Sequence, residues 1–591
     1  MKLFFTDTLE ELKAILQELT PSEWDESQDN KKVFRFKGGV LSWYVSTGTL
    51  QVQGREPGKT ELETFLNRKF SIEPQVDNTL DKNIEFETTT LPAPEPISEI
   101  FNSDNTVNNF LNDKFDQSEL VIGIVSAVGT ESSRVITPLK DRLNRFGYTT
   151  EEIKVSSLLR SLQSNDEYER IKGLMTAGDI LREETKCNAI LAYGSAGLIK
   201  SRRGDNPKRA YIINSLKHPD EVDTLRKIYG QGFYLFGIHA DKKRRLHYLT
   251  NDKGLTVTQA NELTDIDEDE KIKHGQRTRD TYHLSDFFIN LGKNDDQVKN
   301  TIQRFLDLIF AHPYKNPTFD EFAMFMAFSS SVRSGDLSRQ VGAVLAKNEQ
   351  ILSTGANDCP SFGGGLYWAQ VDPESGNVTD QDDGKDYTRS EDSNKAEQRE
   401  IIRSILGKIQ DIENLSPEQM EKIKTVLNTS RIKDLTEFGR VVHAEMEAIL
   451  SCGRAGISCS DTSLYCTTFP CHNCAKHIVA AGISRVVYVE PYPKSKALDF
   501  HSDSIVLKTK PDEKLKTEQV TFEPFTGVAA RRFLDFFSMS FGNGTKLERK
   551  TSDGHIIDWQ KNSAHIRVPL IPKSYIDIEK EAAKIFDSIK K

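Results

Sequence analysis

From residue 119 onward the chain alternates continuously apolar runs with amphipathic stretches, and this alternation restricts the fold more than any other feature. A run apolar at consecutive positions leaves no polar side for water. Strands of that kind belong in parallel sheets covered by helices on both faces. "ELVIGIVSAV" reads as such a strand, "GTESS" as a turn and "RVITPLKDRLNRFG" as an amphipathic helix. "CNAILAYG", "RAYIINSL" and "GFYLFGIHA" read as further strands, with "DEVDTLRKIYG" as a helix between them. A parallel-sheet α/β domain is therefore expected over residues 119–310. The same grammar continues over 311–550: a helix "FDEFAMFMAFSSSV", a strand "VGAVLAKNEQILSTGAN", a helix headed by His443, a strand "SLYCTTF", a helix headed by Cys471 and a strand "RVVYVEP".

A chain of 591 residues exceeds what one core holds, and three domains are expected at ~100–200 residues each. Residues 1–87 begin with the helix-like "DTLEELKAILQEL" and continue with three short strand-like runs broken at "KGG" and "STG", a small α+β domain. Residues 88–118, with their prolines and weak apolar pattern, read as a linker, and 551–591 as a C-terminal extension. The balance of 78 basic against 88 acidic residues gives a net charge of -10 without a dominating basic block, so a polyanion is not the expected main partner. No apolar run reaches the ~20 residues that span a bilayer, and the first residues turn acidic too early for a signal peptide. A cytoplasmic protein with no membrane contact is expected. Seven cysteines, an odd number, suit reduced thiols and metal ligation better than a disulfide framework.

The chemistry concentrates in "VVHAEMEAIL" and "TTFPCHNCAKHIVAAGI". Catalytic zinc usually takes three protein ligands and keeps a fourth position for water, whose pKa falls to ~7. His443, Cys471 and Cys474 supply that number. The CxxC spacing lets two thiolates grip one Zn2+ from the first turn of a helix, whose dipole and free N–H groups favour anionic sulfur, and Pro470 suits that helix start. Glu445, two residues past the histidine, would lean over the open position and move protons. Against this stands a structural zinc knuckle closed by His477 and Cys466, or a redox pair. A closed site, however, leaves the His443–Glu445 pair without a reason. An HxE helix followed by PCxxC is the zinc-deaminase signature, in which the glutamate is general acid/base and not a ligand. His472, Cys452, Cys459 and Cys466 are expected to be bystanders or core residues.

These motifs resemble the cytidine and deoxycytidylate deaminase superfamily. The resemblance implies a three-layer α/β/α deaminase domain and a zinc-dependent hydrolase of cyclic amidines. "SGDLSRQVGAVLAKNEQILSTGAND" is similar to the segment preceding the metal helix in deoxycytidylate deaminases. By that match Asn357 is a substrate residue, with Arg339, Gln340 and Ala444 as further candidates. Through "GIVSAVGTESS", "RDTYHLSDFF", "VEPYPKSKALDFHSDSI" and "FEPFTGVAARRFLDFF" the chain resembles, over roughly 119–550, bacterial anti-phage deaminases that join a P-loop-like domain to the deaminase domain. The resemblance implies dCTP or dCMP as substrate and depletion of the cytosine precursor pool. It also implies a homo-oligomer, dimer or hexamer, and an inhibitory RNA or phage-derived trigger.

Two departures bear on function. A working P-loop reads GxxxxGK[ST], whereas here Gly123 and Gly129 stand one residue too far apart and Thr130 replaces the lysine, so phosphoryl transfer is not expected. Gly123, Gly129 and Thr130 remain candidates for a second nucleotide site, since a glycine turn and helix N-terminus bind phosphate without the lysine; the alternative is a purely architectural domain. Between Asn357 and His443 lies an insertion, 360–436, of the kind that forms lids or oligomer contacts. The first domain is similar to TATA-binding-protein-like modules, with Trp43 and Tyr44 between Lys37 and Arg55 as a potential nucleic-acid face; the preferred reading is a packed sheet with a solvated face. Competing functions are a polynucleotide cytidine deaminase and a sensor whose front domains bind RNA or protein.

Overall fold

The computed structural model describes residues 3–5, 8–28, 30–45, 48–69, 118–159, 165–268, 275–292, 294–412, 415–435, 437–489, 495–508, 518–570 and 574–589. Apart from Ser118, the expected linker lies outside them. Two compact units emerge, residues 1–97 and 98–591.

The first unit is an antiparallel sheet in the order β1-β5-β4-β3-β2, formed by β1 (Leu3–Phe4), β2 (Ser22–Gln28), β3 (Lys31–Phe36), β4 (Gly39–Tyr44) and β5 (Thr49–Gly54). Helices Leu9–Leu16 and Gly58–Lys69 complete it. Alternation along β3 and β4 sends Phe34, Phe36, Leu41 and Trp43 into one core with Leu12, Leu16, Leu62 and Leu66. Trp43 is 4% exposed and its Nε1 donates to the Phe5 carbonyl at 3.0 Å. It is a core residue and offers no stacking platform. The polar strand β2, "SEWDESQ", carries almost no apolar signal and escapes sequence reasoning.

Among the described residues, the second unit holds two six-stranded sheets and a small two-stranded one. In the first, β6 (Leu120–Ser126), β7 (Thr149–Lys154), β8 (Arg209–Leu216), β9 (Phe233–His239) and β10 (Phe287–Asn290) run parallel in the order β7-β8-β6-β9-β10. Every residue of β6 and β9 is buried, as their unbroken apolar runs require. "CNAILAYG" is not a strand: the run forms the start of the helix Ile190–Arg202. Its continuation, "SAGLIKSR", extends the pattern at helical spacing, burying Leu191, Ala192, Ser195 and Ile199; a short apolar window alone does not separate the two periods.

The second sheet has the order β12-β11-β15-β16-β18-β17, from β11 (Gly342–Lys347), β12 (Gln350–Ala356), β15 (Ser463–Cys466), β16 (Arg485–Tyr488), β17 (Ile505–Leu507) and β18 (Val520–Pro524). The expected single strand "VGAVLAKNEQILSTGAN" is a hairpin of β11 and β12. It turns at Asn348 and Glu349, whose φ values of 50° and 59° give the two left-handed residues of a tight hairpin. Helices cover both faces, so the layers are α/β/α. Gly342 lets the helix Phe319–Ser331 approach on one side and Gly355 the helix Ala444–Arg454 on the other. A Cβ on Gly355 would lie 2.1 Å from the Ala444 carbonyl. Along β11, Ala343 and Leu345 pack with the Ala444–Arg454 helix, while Val344 and Ala346 join a core shared with Val121, Tyr211 and Leu235 of the first sheet.

The two sheets are tied together further. The short strand β19 (Gly527–Val528) leaves the second sheet and pairs antiparallel with β10, Phe287 opposite Val528. Arg532 is buried against Asp286 and donates to the Phe233 carbonyl at 2.7 Å. Downstream, Trp559 donates to the Phe310 carbonyl at 3.1 Å and Ile566 joins the first sheet's core. The insertion contains the hairpin β13 (Gln370–Val371) and β14 (Val378–Thr379) and the helices Ser393–Ile412 and Pro417–Thr429. It is anchored beside the second sheet by Lys385–Asp358 at 3.3 Å, Arg440–Asp386 at 3.1 Å and the Arg333 guanidinium 3.6 Å from the Trp368 ring centre. No described helix is long and apolar enough to cross a membrane.

Candidate metal centre

His443 is the N-cap of its helix, with extended backbone (φ -68°, ψ 152°). The preceding Val442 exchanges backbone hydrogen bonds with Asp358, 3.0 and 3.3 Å, which fixes the helix start against the end of β12. Cys471 is likewise an N-cap. Its Sγ accepts from the Cys474 N–H at 3.4 Å, and the helix His472–Ala480 begins immediately after. The sulfur thus takes the place usually held by a serine or aspartate oxygen. Both helices start at the same end of the sheet and present their first turns to each other.

The result is a tight cluster. His443 Nδ1 lies 3.4 Å from Cys471 Sγ and 3.3 Å from Cys474 Sγ, and the three ligand atoms all lie within 4.8 Å of one another. A tetrahedral zinc with ordinary bond lengths separates nitrogen and sulfur ligands by about 3.6 Å, so the donor set fits the ion. The charges favour it too. Cys471 is pulled down to about 4, chiefly by the Cys474 thiol hydrogen bond and then by His443. That thiolate, through its hydrogen bond, in turn raises His443 to about 9. Cys474 is pushed well above its ordinary value, mainly because its proton serves Cys471. A cation replaces these protons as the group holding the sulfurs together.

Glu445 is 3% exposed and sits in the first turn of the His443 helix. Burial pushes its carboxyl up, and the negative Cys471 adds to the rise. A buried acid with a shifted proton affinity beside such a cluster is a candidate for acid–base chemistry. Cys466, the last residue of β15, also bonds to this carboxylate and is fully buried, with its thiol pushed up by desolvation first and Glu445 second. Sequence reasoning left it a bystander or core residue, or a ligand of a closed knuckle, and not a partner of Glu445; strand position was the available signal, since β15 ends just before the Cys471 loop.

The other sequence candidates divide. Asn357 is 7% exposed beside the site, with both ends of its amide engaged: Oδ1 accepts from the Val341 N–H at 2.6 Å and Nδ2 donates to the Arg339 carbonyl at 2.7 Å. Gln340 donates to the Ser334 carbonyl at 3.0 Å and is exposed, as is Arg339. Ala444 is buried against Gly355. Gly123, Gly129 and Thr130 belong to the first sheet and stand apart from this cluster. Of these, Gly123 lies inside β6 and Gly129, at φ 79°, makes the turn after it.

A buried carboxylate next to a His–Cys–Cys metal cluster on an α/β/α sheet defines a metal-dependent hydrolase of the deaminase class. The profile described as "Cytidine and deoxycytidylate deaminase zinc-binding region" matches residues 317–490. Deoxycytidylate deaminase of Enterobacteria phage T4 is 32% identical over 176 residues, 29% of this chain and 77% of the phage protein. The chain belongs to the cytidine and deoxycytidylate deaminase family, and its cofactor is zinc. Deoxycytidylate deaminase of Saccharomyces cerevisiae is 24% identical over 306 residues, 49% of this chain and 80% of that protein. Among solved structures, the dCMP deaminase of cyanophage S-TIM5 in complex with dCMP and dUMP aligns with 20% identity over 36% of this chain and 100% of that one, TM-score 0.20.

Proposed function

We propose that the protein hydrolyses free deoxycytidine nucleotides, dCMP or dCTP, to the deoxyuridine nucleotides and ammonia. The observation that carries this reading is the burial of Glu445 beside His443, Cys471 and Cys474, supported by the phage and yeast relatives named deoxycytidylate deaminase. Held by those three side chains, zinc supplies the Lewis acidity that makes a water acidic near neutral pH. Glu445 takes one proton from the attacking water and delivers it to N3 of cytosine, then takes the second from the new C4 hydroxyl and passes it to the amino group, which leaves as ammonia as the C4–N bond breaks. Oxygen replaces nitrogen at C4 and Glu445 ends as it began. Its raised proton affinity suits a group that must carry a proton in successive steps. The likeness in the motifs gives Asn357 the substrate contact, with Arg339 and Gln340 as further candidates, and the hydrogen bonds that join Asn357 to Val341 and Arg339 would position that segment.

On the same reading the enzyme works in the cytoplasm as a homo-oligomer, depletes the deoxycytidine nucleotide pool of a replicating phage, and answers to an inhibitory RNA or a phage-derived trigger. The likeness in the motifs supports this. A polynucleotide deaminase must admit a flipped or single-stranded base along a basic groove, and the net charge of -10 speaks against one. The experiment is ammonia release from dCMP, dCTP, CTP and single-stranded DNA at matched cytosine concentration. Faster turnover of DNA than of either free deoxynucleotide refutes the proposal.

A further inference from the structure

A cavity of about 270 Å³ opens at the carboxyl ends of β6, β7 and β8, away from the zinc cluster. From β6 the chain goes to β7 and β8 on one side and to β9 and β10 on the other. That is the switch point at which open parallel sheets receive ligands.

Two local features mark the cavity as built for an occupant. Ser215, in its wall, has φ 80° and is the extra residue of a bulge, because Ile124 pairs with Asn214 and Val125 with Leu216. A non-glycine residue held there is strained, and such strain gathers at binding sites. The second feature is three sealed polar atoms on lining residues, the acceptor Gln276 Oε1, the hydroxyl Thr130 Oγ1 and the donor Arg182 Nε. Among the described residues none of the three atoms has a hydrogen-bond partner. Gln276 is only 8% exposed. A buried acceptor without a donor costs stability unless a ligand completes it.

The charges say which ligand. The Val128 N–H, where a phosphate would bind, donates to the Asp267 carboxylate at 2.8 Å. Lys217 donates to the same carboxylate and to the Ser126 carbonyl, both at 2.8 Å. Glu131, just before the helix Ser133–Arg145, is paired with Arg244 and Arg134. The chain's own carboxylates occupy the anion positions, and a phosphate would meet like charge. The cations of the remaining wall are spent in the same way, Arg170 on Glu167 and Arg182 on Asp179 and Glu221, and Leu159, Ile171, Leu174 and Met175 stand beside them. The volume falls just below the ~300–1,000 Å³ of drug-sized sites. We propose that this cavity binds an uncharged, flat heterocycle of nucleobase or nucleoside size whose N–H donates to Gln276 Oε1, and that it excludes nucleotide phosphates.

The test is calorimetric binding and thermal melting of the full chain with thymine, thymidine, deoxyadenosine and deoxyguanosine, each nucleoside beside its triphosphate. At least one uncharged compound should bind and raise Tm, its triphosphate binding at least ~10-fold weaker. Gln276→Leu should lose that binding at least ~10-fold, the worth of about one hydrogen bond. Without ligand it should melt no lower than the unaltered protein, with ammonia release from dCMP unchanged. Gly178→Leu, which fills the cavity from a wall with room for a side chain, should abolish binding too. No binding up to millimolar concentration, tighter binding of the triphosphates, or full binding by either variant overturns the proposal. Because the readout is binding and not deamination, its failure leaves the proposed reaction untouched.

Discussion

The unit from 98 to 591 contains two sites built on the same plan, a turn at the end of a strand leading into a helix N-terminus, and they have opposite electrostatic fates. At Cys471 the helix start faces sulfur donors and His443, which converge on a space that suits a cation. At Gly129 the anion position of the corresponding loop is already filled, its Val128 N–H taken by Asp267 and that carboxylate paired with Lys217. A helix N-terminus is therefore not a site in itself. What decides is whether the chain supplies its own counter-charge or leaves the position to a ligand.

The strongest test of this contrast is on the open site. Glu445→Gln preserves size and the helix, so it should keep one zinc per chain and lose at least ~10³-fold in ammonia release. His443→Ala and Cys471→Ala should lose the metal with the activity. Metal analysis beside the assay decides, and a fully active Glu445→Gln protein breaks the assignment. Next in size is the closed site. Asp267→Ala leaves the half-buried Lys217 and the Val128 N–H without this carboxylate and should cost about 3 kcal/mol in denaturant unfolding, the low end for breaking a buried pair from one side. Zinc content should be unchanged.

A smaller effect is expected from pH. His239, 8% exposed at the end of β9, is pushed down to about 4 by burial, with Arg245 adding and Asp241 opposing. Below its ordinary value of 6.5 the unfolded chain takes up a proton that the folded chain refuses. Stability should therefore be full above pH 6.5 and fall as pH drops from there to about 4, by at most ~3 kcal/mol from this group. His239→Gln should flatten that part of the profile measured by denaturant midpoints. Last comes an expected null: Thr130→Lys restores the missing P-loop lysine, yet the full chain should transfer no phosphate, since Asp267 and Glu131 still fill the cradle. Transfer from ATP to any nucleoside would break the comparison at its weaker half.

The open site was legible in the sequence and the closed one was not. His443, Glu445, Cys471 and Cys474 sit at spacings set by helix geometry, so short-range pattern sufficed. Asp267 reaches Val128 across 139 residues, and nothing local announces a carboxylate standing in for a phosphate. The fold shows the same division. Strands β6 and β9 were plain from their burial on both faces, while "CNAILAYG" misled because eight apolar-rich residues fit either period. The polar strand β2 and the turn at Asn348 and Glu349 carried backbone information that composition hides.

The pairing of β19 with β10 has a consequence for how the protein is made. Synthesis delivers β6 to β10 early, but the strand that closes that sheet's edge and the Trp559–Ile566 stretch that covers its core emerge only after the whole zinc domain. Until then an unpaired edge and apolar surface stay exposed on the ribosome. The nascent chain must either wait or be held by a chaperone, and the β6–β10 sheet becomes secure only once β19 and the Trp559–Ile566 stretch have docked.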